Sequence, residues 1–208
     1  MRKRKLSQKF IIGLDEVGRG SLAGVITVGA VLIPAKLKIK NLKFKIPLRD
    51  SKKLSLKQRE EWFKFIKKQK IPFAVASVSP KIIDKINVSK AANLAATRAF
   101  KKLITNYKLQ TTNVNIYLDG GLYLKKLQIT NYKLKTKTII RGDEKIPAIS
   151  LASIVAKVHR DKLMKRLHKK YPRYDFINNV GYGTKKHIKA LRKFGYSPIH
   201  RKTFHGVV

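Results

Sequence analysis

The chain has 208 residues, with 49 Lys and Arg against 11 Asp and Glu, a formal net charge of +38 and no cysteine. Its length suits one domain with its own core, and the missing cysteines exclude thiolate chemistry, zinc ribbons and disulfide frameworks and agree with a reducing, cytoplasmic setting. Such a polycation is drawn to phosphates by counterion release, so nucleic acid is the expected partner, although lysine spread along the whole chain is also what a compositional bias produces.

The basic start MRKRKLSQKF leads into an apolar run that Asp15, Glu16 and Arg19 interrupt too early for a signal segment or a membrane span. FIIGLDEV (10–17) and VITVGAVLIP (25–34) are rich in β-branched residues and read as two strands joined by a turn carrying Gly18, Gly20 and Gly24. In DSKKLS (50–55), Ser55 can N-cap a helix LKQREEWFKFIKKQ whose apolar positions Leu56, Trp62, Phe63 and Ile66 recur at near-helical spacing. A third strand, PFAVASVS (72–79), follows; Pro80 then opens a short helical turn, and Ser89 is the expected cap of an alanine-rich helix KAANLAATRAFKKLI.

VNIYLDGG (114–121) reads as a buried strand stopped by glycines, and TKTIIRGD (136–143) as a further β-prone run ending in an acid. From Ile149 to Lys170 the pattern is helical, YPRYDFINNVGYG reads as loop, and a last helix runs from Thr184 to Gly195. Strands interleaved with helices predict an α/β domain with a helical C-terminal third. ITNYKL occurs at 104–109 and again at 129–134, too short an echo for a solenoid.

Three apolar runs deliver acids at their ends: IIGLDE supplies Asp15 and Glu16, VNIYLDG supplies Asp119, and TIIRGDE supplies Asp143. The remaining acids, Asp50, Glu60, Glu61, Asp84, Asp161 and Asp175, have polar or basic neighbours and read as solvated, and Glu144 simply follows Asp143. If the three strands are neighbours, four carboxylates converge at one sheet edge and repel unless cations neutralise them. Hard divalent ions such as Mg²⁺ or Mn²⁺ prefer carboxylate oxygen, and a four-acid cluster suits phosphoryl transfer with two metals roughly 3.5 to 4 Å apart, one activating water and the other stabilising the leaving oxygen.

Each acid also has a plainer reading. Asp15 can cap a turn, Glu16 can pair with Arg19, and Asp119 and Asp143 beside glycines are ordinary turn signals. The glycines around Arg19 let a substrate approach main-chain N–H groups while Arg19 grips a phosphate, or they form a hairpin turn with an exposed arginine. The five histidines form no HxH or HExxH arrangement; His187 and His200 are expected to position phosphates or helices.

Taken in order, DEVGRGSLAG (15–24), DSKKLS (50–55), YLDGG (117–121), RGDE (141–144), ASIVAKVHRDKLM (152–164), GYGTKKH (181–187) and SPIHRKTF (197–204) resemble ribonuclease HII, of the ribonuclease H-like superfamily, over nearly the whole chain. The resemblance implies a mixed β-sheet flanked by helices, forming a single catalytic domain over 1–208 whose last third, about 149–208, is mainly helical and substrate-binding. It implies that Asp15, Glu16, Asp119 and Asp143 bind two divalent ions, Mg²⁺ or Mn²⁺, with Asp15 bridging them. Gly18, Arg19 and Gly20 would read the scissile phosphate and the ribose 2′-OH, Tyr182 would stack on the sugar at an RNA-to-DNA junction, and Lys52 would contact substrate phosphate.

The implied reaction is endonucleolytic hydrolysis of RNA in RNA–DNA hybrids, with incision 5′ to single ribonucleotides in duplex DNA, leaving 3′-OH and 5′-phosphate ends, by a monomer. Its implied cellular role is removal of misincorporated ribonucleotides and primer remnants. Two features depart from the family pattern: Asn179 and Val180 stand where a His-Lys pair commonly precedes GYGT, and the segment between Asp119 and Asp143 is longer than usual. Ribonuclease HIII resembles the chain around the same core but has an extra N-terminal domain and lacks GRG after DEV, so Arg19 and the few residues ahead of the first strand favour HII. A non-catalytic basic protein would account for the charge but predicts no clustered acids.

Overall fold

The computed structural model describes residues 9–37, 44–109, 114–124 and 135–204. Five strands form one mixed sheet: β1 (Phe10–Val17), β2 (Ile26–Pro34), β3 (Phe73–Val78), β4 (Val114–Asp119) and β5 (Lys135–Ile139), in the order β3-β2-β1-β4-β5. β2 runs antiparallel to β1 and β3, whereas β1, β4 and β5 are parallel. Helices cover both faces, which is why β2 is a nearly unbroken apolar run, buried along all but its last residue.

One face carries α3 (Val88–Tyr107), whose Ala91, Ala95 and Ala99 are fully buried against Ile12, Leu14 and Ile116. α2 (Pro80–Ile86) precedes it. The cap of α3 is Asn87, whose side chain accepts from the Lys90 N–H, and not Ser89; the helix starts two residues before the expected position because Asn87 takes up a left-handed φ of 65° and turns the chain directly out of α2. The first ITNYKL copy closes α3, with Lys108 as a left-handed C-cap; the second lies outside the described residues.

The opposite face carries α1 (Leu56–Lys68), opened by the expected Ser55 cap, which forms a capping box with Gln58, and the long α5 (Pro147–Lys170). α5 lies so close to the sheet that a Cβ at Gly13 would overlap the backbone of Ala148, and one at Gly29 the carbonyl of Ala152. Gly13→Ala is therefore expected to cost about 2 kcal/mol or more, because backbone rather than a mobile side chain must move. Thermal denaturation checks this, and an unchanged melting temperature would contradict the packing.

Short helices α4 (Gly142–Lys145) and α6 (Phe176–Asn179), and the terminal α7 (Lys185–Phe194), complete the fold. A third small core of Ala23, Met164, Tyr174, Phe176 and Leu191 joins α5, α6 and α7 to the loop after β1. The segment 171–183 thus contains a turn of 3-10 helix and α6 where sequence reading expects only loop; both are single turns, below the length at which periodicity is legible. No helix among the described residues is long and apolar enough to cross a membrane.

Candidate active site

Leu14 of β1 pairs with Leu118 of β4, so Asp15 and Asp119 stand side by side where the parallel pairing of the two strands ends, with Asp15 still paired to Gly29 of β2. Alternation along β1 directs Ile12 and Leu14 to the α3 side and Gly13 and Asp15 to the α5 side. One carboxylate oxygen from each of Asp15, Glu16 and Asp119 lies within 4.8 Å of the others. Asp119 is oriented by the Gly142 N–H, which donates to Oδ1 at 2.6 Å.

Asp143 does not belong to that triplet, although it lines the same cavity of about 200 Å³. It stands in the first turn of α4 and not at a strand end: β5 stops at Ile139, and Arg141 at a φ of 54° turns the chain before the helix begins. The Ser150 hydroxyl donates to its main-chain oxygen, tying Asp143 to the start of α5. Its carboxyl pKa is raised, first by burial and then by Asp119, which places the two acids within electrostatic reach.

Burial also pushes the Asp15 carboxyl well above its ordinary value, with Glu16, Asp119 and Asp143 adding to the rise. Glu16 is raised by burial as well, against the opposing pull of Arg19. Arg19 does pair with Glu16, Nη1 donating to Oε1 at 3.3 Å, while Nη2 donates to Ser89 Oγ at 2.9 Å. Glu16 Oε2 is nevertheless buried with no hydrogen-bond partner among the described residues. An all-oxygen donor set, an orphaned carboxylate oxygen and three acids held partly against ionisation are what a hard divalent ion would relieve, so these residues fit one.

Lys52 lines the same cavity from a turn of 3-10 helix over Ser51–Lys53, capped by Asp50, whose Oδ1 accepts from the Lys52 N–H. Asp50 is buried, against the expectation of a solvated acid. Burial alone would lower the Lys52 pKa, but Asp50, Asp143, Asp15 and Asp119 together outweigh it and hold the ammonium protonated. Lys157 of α5, which sequence reading overlooked, lines this cavity and a second groove of about 310 Å³ with Arg59, Lys162 and Lys165.

The loop Gly18–Val25 is shaped from beneath by two buried arginines. Arg160 donates to Val25 O (2.7 Å), Ser21 Oγ (2.8 Å), Ala23 O (3.2 Å) and Val180 O (2.9 Å), and Arg201 to Gly18 O (2.6 Å), Arg19 O (2.9 Å) and Gly24 O (3.1 Å). Among the described residues neither pairs with a carboxylate; each satisfies carbonyls that the loop's irregular path leaves without a ladder partner. The two flanking glycines have different reasons: a Cβ at Gly18 would meet the Arg160 guanidinium, whereas Gly20 faces open space in the cavity. Both arginines lie within motifs visible in the sequence, but nothing in spacing says that they point inward.

Tyr182 is 40% exposed and lines both the acidic cavity and the neighbouring groove. Asn179 supports it: the side chain donates to Tyr174 O (2.6 Å) and accepts from the Gly181 N–H (2.8 Å), so this position is a buried loop fastener and not a phosphate contact. His187 and His200 are buried at 0% and 2% exposure, which overturns a phosphate-contacting role for them. His205 lies outside the described residues.

A Ribonuclease HII family profile matches residues 12–207. The chain is 44% identical over 196 residues to Ribonuclease HII of Pelagibacter ubique, spanning 94% of this chain and 96% of that one. It is 41% identical over 198 residues to Ribonuclease HII of Clostridium beijerinckii, spanning 95% of this chain and 68% of that one. Among solved structures, ribonuclease H2 from Pyrococcus horikoshii OT3 superposes with a TM-score of 0.70 at 26% identity, covering 94% of each chain.

Proposed function

The chain belongs to the ribonuclease HII family and is a metal-dependent endonuclease acting on nucleic acid; from that premise we propose that it hydrolyses the RNA strand of RNA–DNA hybrids and incises duplex DNA 5′ to a single ribonucleotide. The observation that carries this reading is the convergence of Asp15, Glu16 and Asp119 at the carboxyl ends of β1 and β4, in one cavity with Arg19, Lys52, Asp143 and Tyr182.

Asp15, Glu16, Asp119 and Asp143 would hold two divalent ions, Mg²⁺ or Mn²⁺, which would supply a nucleophilic water and charge neutralisation at the scissile phosphate. The chain's own part is orientation. Gly20 leaves the sugar-phosphate backbone free to approach the main-chain N–H groups after β1, and the hold of Arg160 and Arg201 on the loop's carbonyls keeps that surface in place. Arg19, already spanning Glu16 and α3, presents its guanidinium to phosphate, and Lys52 adds a second cation. Tyr182 stacks on the sugar at the RNA-to-DNA junction, so a ribose is recognised by its 2′-OH on one side and its ring on the other.

Hydrolysis breaks the P–O3′ bond, leaving a 3′-OH on the upstream strand and a 5′-phosphate on the ribonucleotide. The enzyme acts as a monomer and a single catalytic domain in the cytoplasm, its last third gripping substrate, and removes misincorporated ribonucleotides and primer remnants. The test is cleavage of a duplex with one ribonucleotide beside an all-RNA hybrid, with Mg²⁺, with Mn²⁺ and with neither. We expect both to be cut only with metal, the single ribonucleotide on its 5′ side; a cut elsewhere, or cleavage in chelator, would overturn the reading.

A further inference from the structure

Behind Tyr182 the structure contains a buried histidine pair that the reaction does not use. His187 Nε2 and His200 Nε2 face each other at 3.0 Å, His187 Nδ1 lies 2.8 Å from the Tyr182 carbonyl oxygen, and His200 Nδ1 lies 2.9 Å from the Ser197 main-chain nitrogen and 2.8 Å from its hydroxyl. Tyr174, Phe176 and Tyr196 surround the rings.

The partners decide where the protons are. A main-chain N–H only donates, so His200 Nδ1 is an acceptor and its proton is on Nε2. A carbonyl only accepts, so His187 Nδ1 carries a proton and its Nε2 is bare. The two Nε2 atoms then meet as one donor and one acceptor, and all four ring nitrogens are satisfied with both rings neutral. An added proton on either ring would put two N–H groups head to head.

We propose that His187 and His200 are positioning residues, a neutral one-directional hydrogen-bond relay that sets the Tyr182 peptide and so aims the phenol ring at the mouth of the catalytic cavity. This rests on the reading of Tyr182 as the sugar contact. The Tyr182 carbonyl is held from two sides, by His187 and by the Thr184 N–H at 2.9 Å, while the preceding Gly181 carbonyl accepts from Leu22 and Ala23 of the loop after β1. The relay thereby ties α7 and the C-terminal segment to the distance between Tyr182 and that loop. Burial lowers the pKa of both rings, that of His200 to about 4, in keeping with neutrality.

The test compares two amides at His187. Asn places its NH₂ where Nδ1 stands and keeps the donor to the Tyr182 carbonyl; Gln places it where Nε2 stands and leaves that carbonyl short of a donor. His187→Gln is expected to lose about tenfold more kcat/KM on a single-ribonucleotide duplex than on an all-RNA hybrid, matching Tyr182→Ala, with no further selectivity loss when the two are combined. His187→Asn is expected to keep most of the wild-type selectivity. In the unaltered protein at neutral pH, ¹⁵N chemical shifts should report opposite neutral tautomers, the proton on Nδ1 of His187 and on Nε2 of His200. Like tautomers, or a charged ring, would overturn the relay; Asn and Gln behaving alike while Tyr182→Ala remains selective would overturn positioning. Should Tyr182→Ala lose both substrates equally, the reading of Tyr182 fails first and the inference with it, whatever the tautomers.

Discussion

Asp15→Asn is expected to abolish cleavage, by on the order of 10³-fold or more, while raising the unfolding temperature of the metal-free protein. Asp15 is 5% exposed and has no salt-bridge partner among the described residues; its burial and the like charges of Glu16, Asp119 and Asp143 outweigh the Ser153 hydrogen bond and the nearby Lys52 ammonium. Its folded-state pKa is raised above the ordinary 3.8, so the folded protein carries a penalty at every pH above that raised value. The penalty shrinks as the pH falls and vanishes below the unfolded value, the reverse of a carboxylate with a cationic partner.

Replacing the acid with an amide removes the penalty at neutral pH and also relieves Glu16 and Asp119 of a neighbouring charge. Each kcal/mol recovered corresponds to about 2–4 °C in a chain of this size. Divalent ions should stabilise the parent protein by mass action and stabilise the variant much less. Thermal scans in chelator and in Mg²⁺, beside a hybrid-cleavage assay, decide it: a variant that melts earlier in chelator, or one that still cuts, would contradict the assignment of Asp15 to the metal.

The largest expected loss of stability comes from a residue remote from the chemistry. Arg160→Met should destabilise the fold by about 3 to 5 kcal/mol, because the thioether fills the space yet leaves Val25 O, Ala23 O, Val180 O and Ser21 Oγ without their donor in a buried region. Arg160→Lys should recover little, since one ammonium cannot reach all four acceptors in the geometry of a planar fork.

The effect should extend to activity at temperatures where the variant is still folded. Arg160 joins the loop after β1 to the Tyr182 loop through Val180, a β-branched residue held at a φ of 43°. Releasing it loosens both walls of the cavity, so hybrids and single-ribonucleotide duplexes should suffer alike, unlike the selective loss expected of His187→Gln. Urea denaturation and cleavage measured well below the melting temperature separate the two effects; a variant as stable as the parent would show that the loop holds itself.

Much of this was legible in the sequence. β-branched runs located β1 to β4 within a residue or two, the Ser55 cap opened α1 where expected, and the glycines that stop VNIYLDGG placed Asp119 at a strand end. Asp143 was harder: TKTIIRGD reads as one β-prone run, but only its first part pairs with β4 and Arg141 turns the chain into α4. Strand propensity is local, and where pairing stops depends on the neighbouring strand.

What the sequence determined by itself is which chemistry was available: eleven acids in a chain of +38, four of them at the ends of apolar runs beside glycines, and an arginine three residues after the first pair. Only the tertiary structure decided which acids meet. The parallel register of β1 and β4 brings Asp15 and Asp119 together across a sequence separation that no local pattern encodes. It likewise decided that Arg160, Arg201, His187 and His200 turn inward, where they organise main chain instead of touching substrate. A residue's type limits what it can bind, but whether a polar side chain faces water or a buried carbonyl is set by which segments fold over it, and those lie far along the chain.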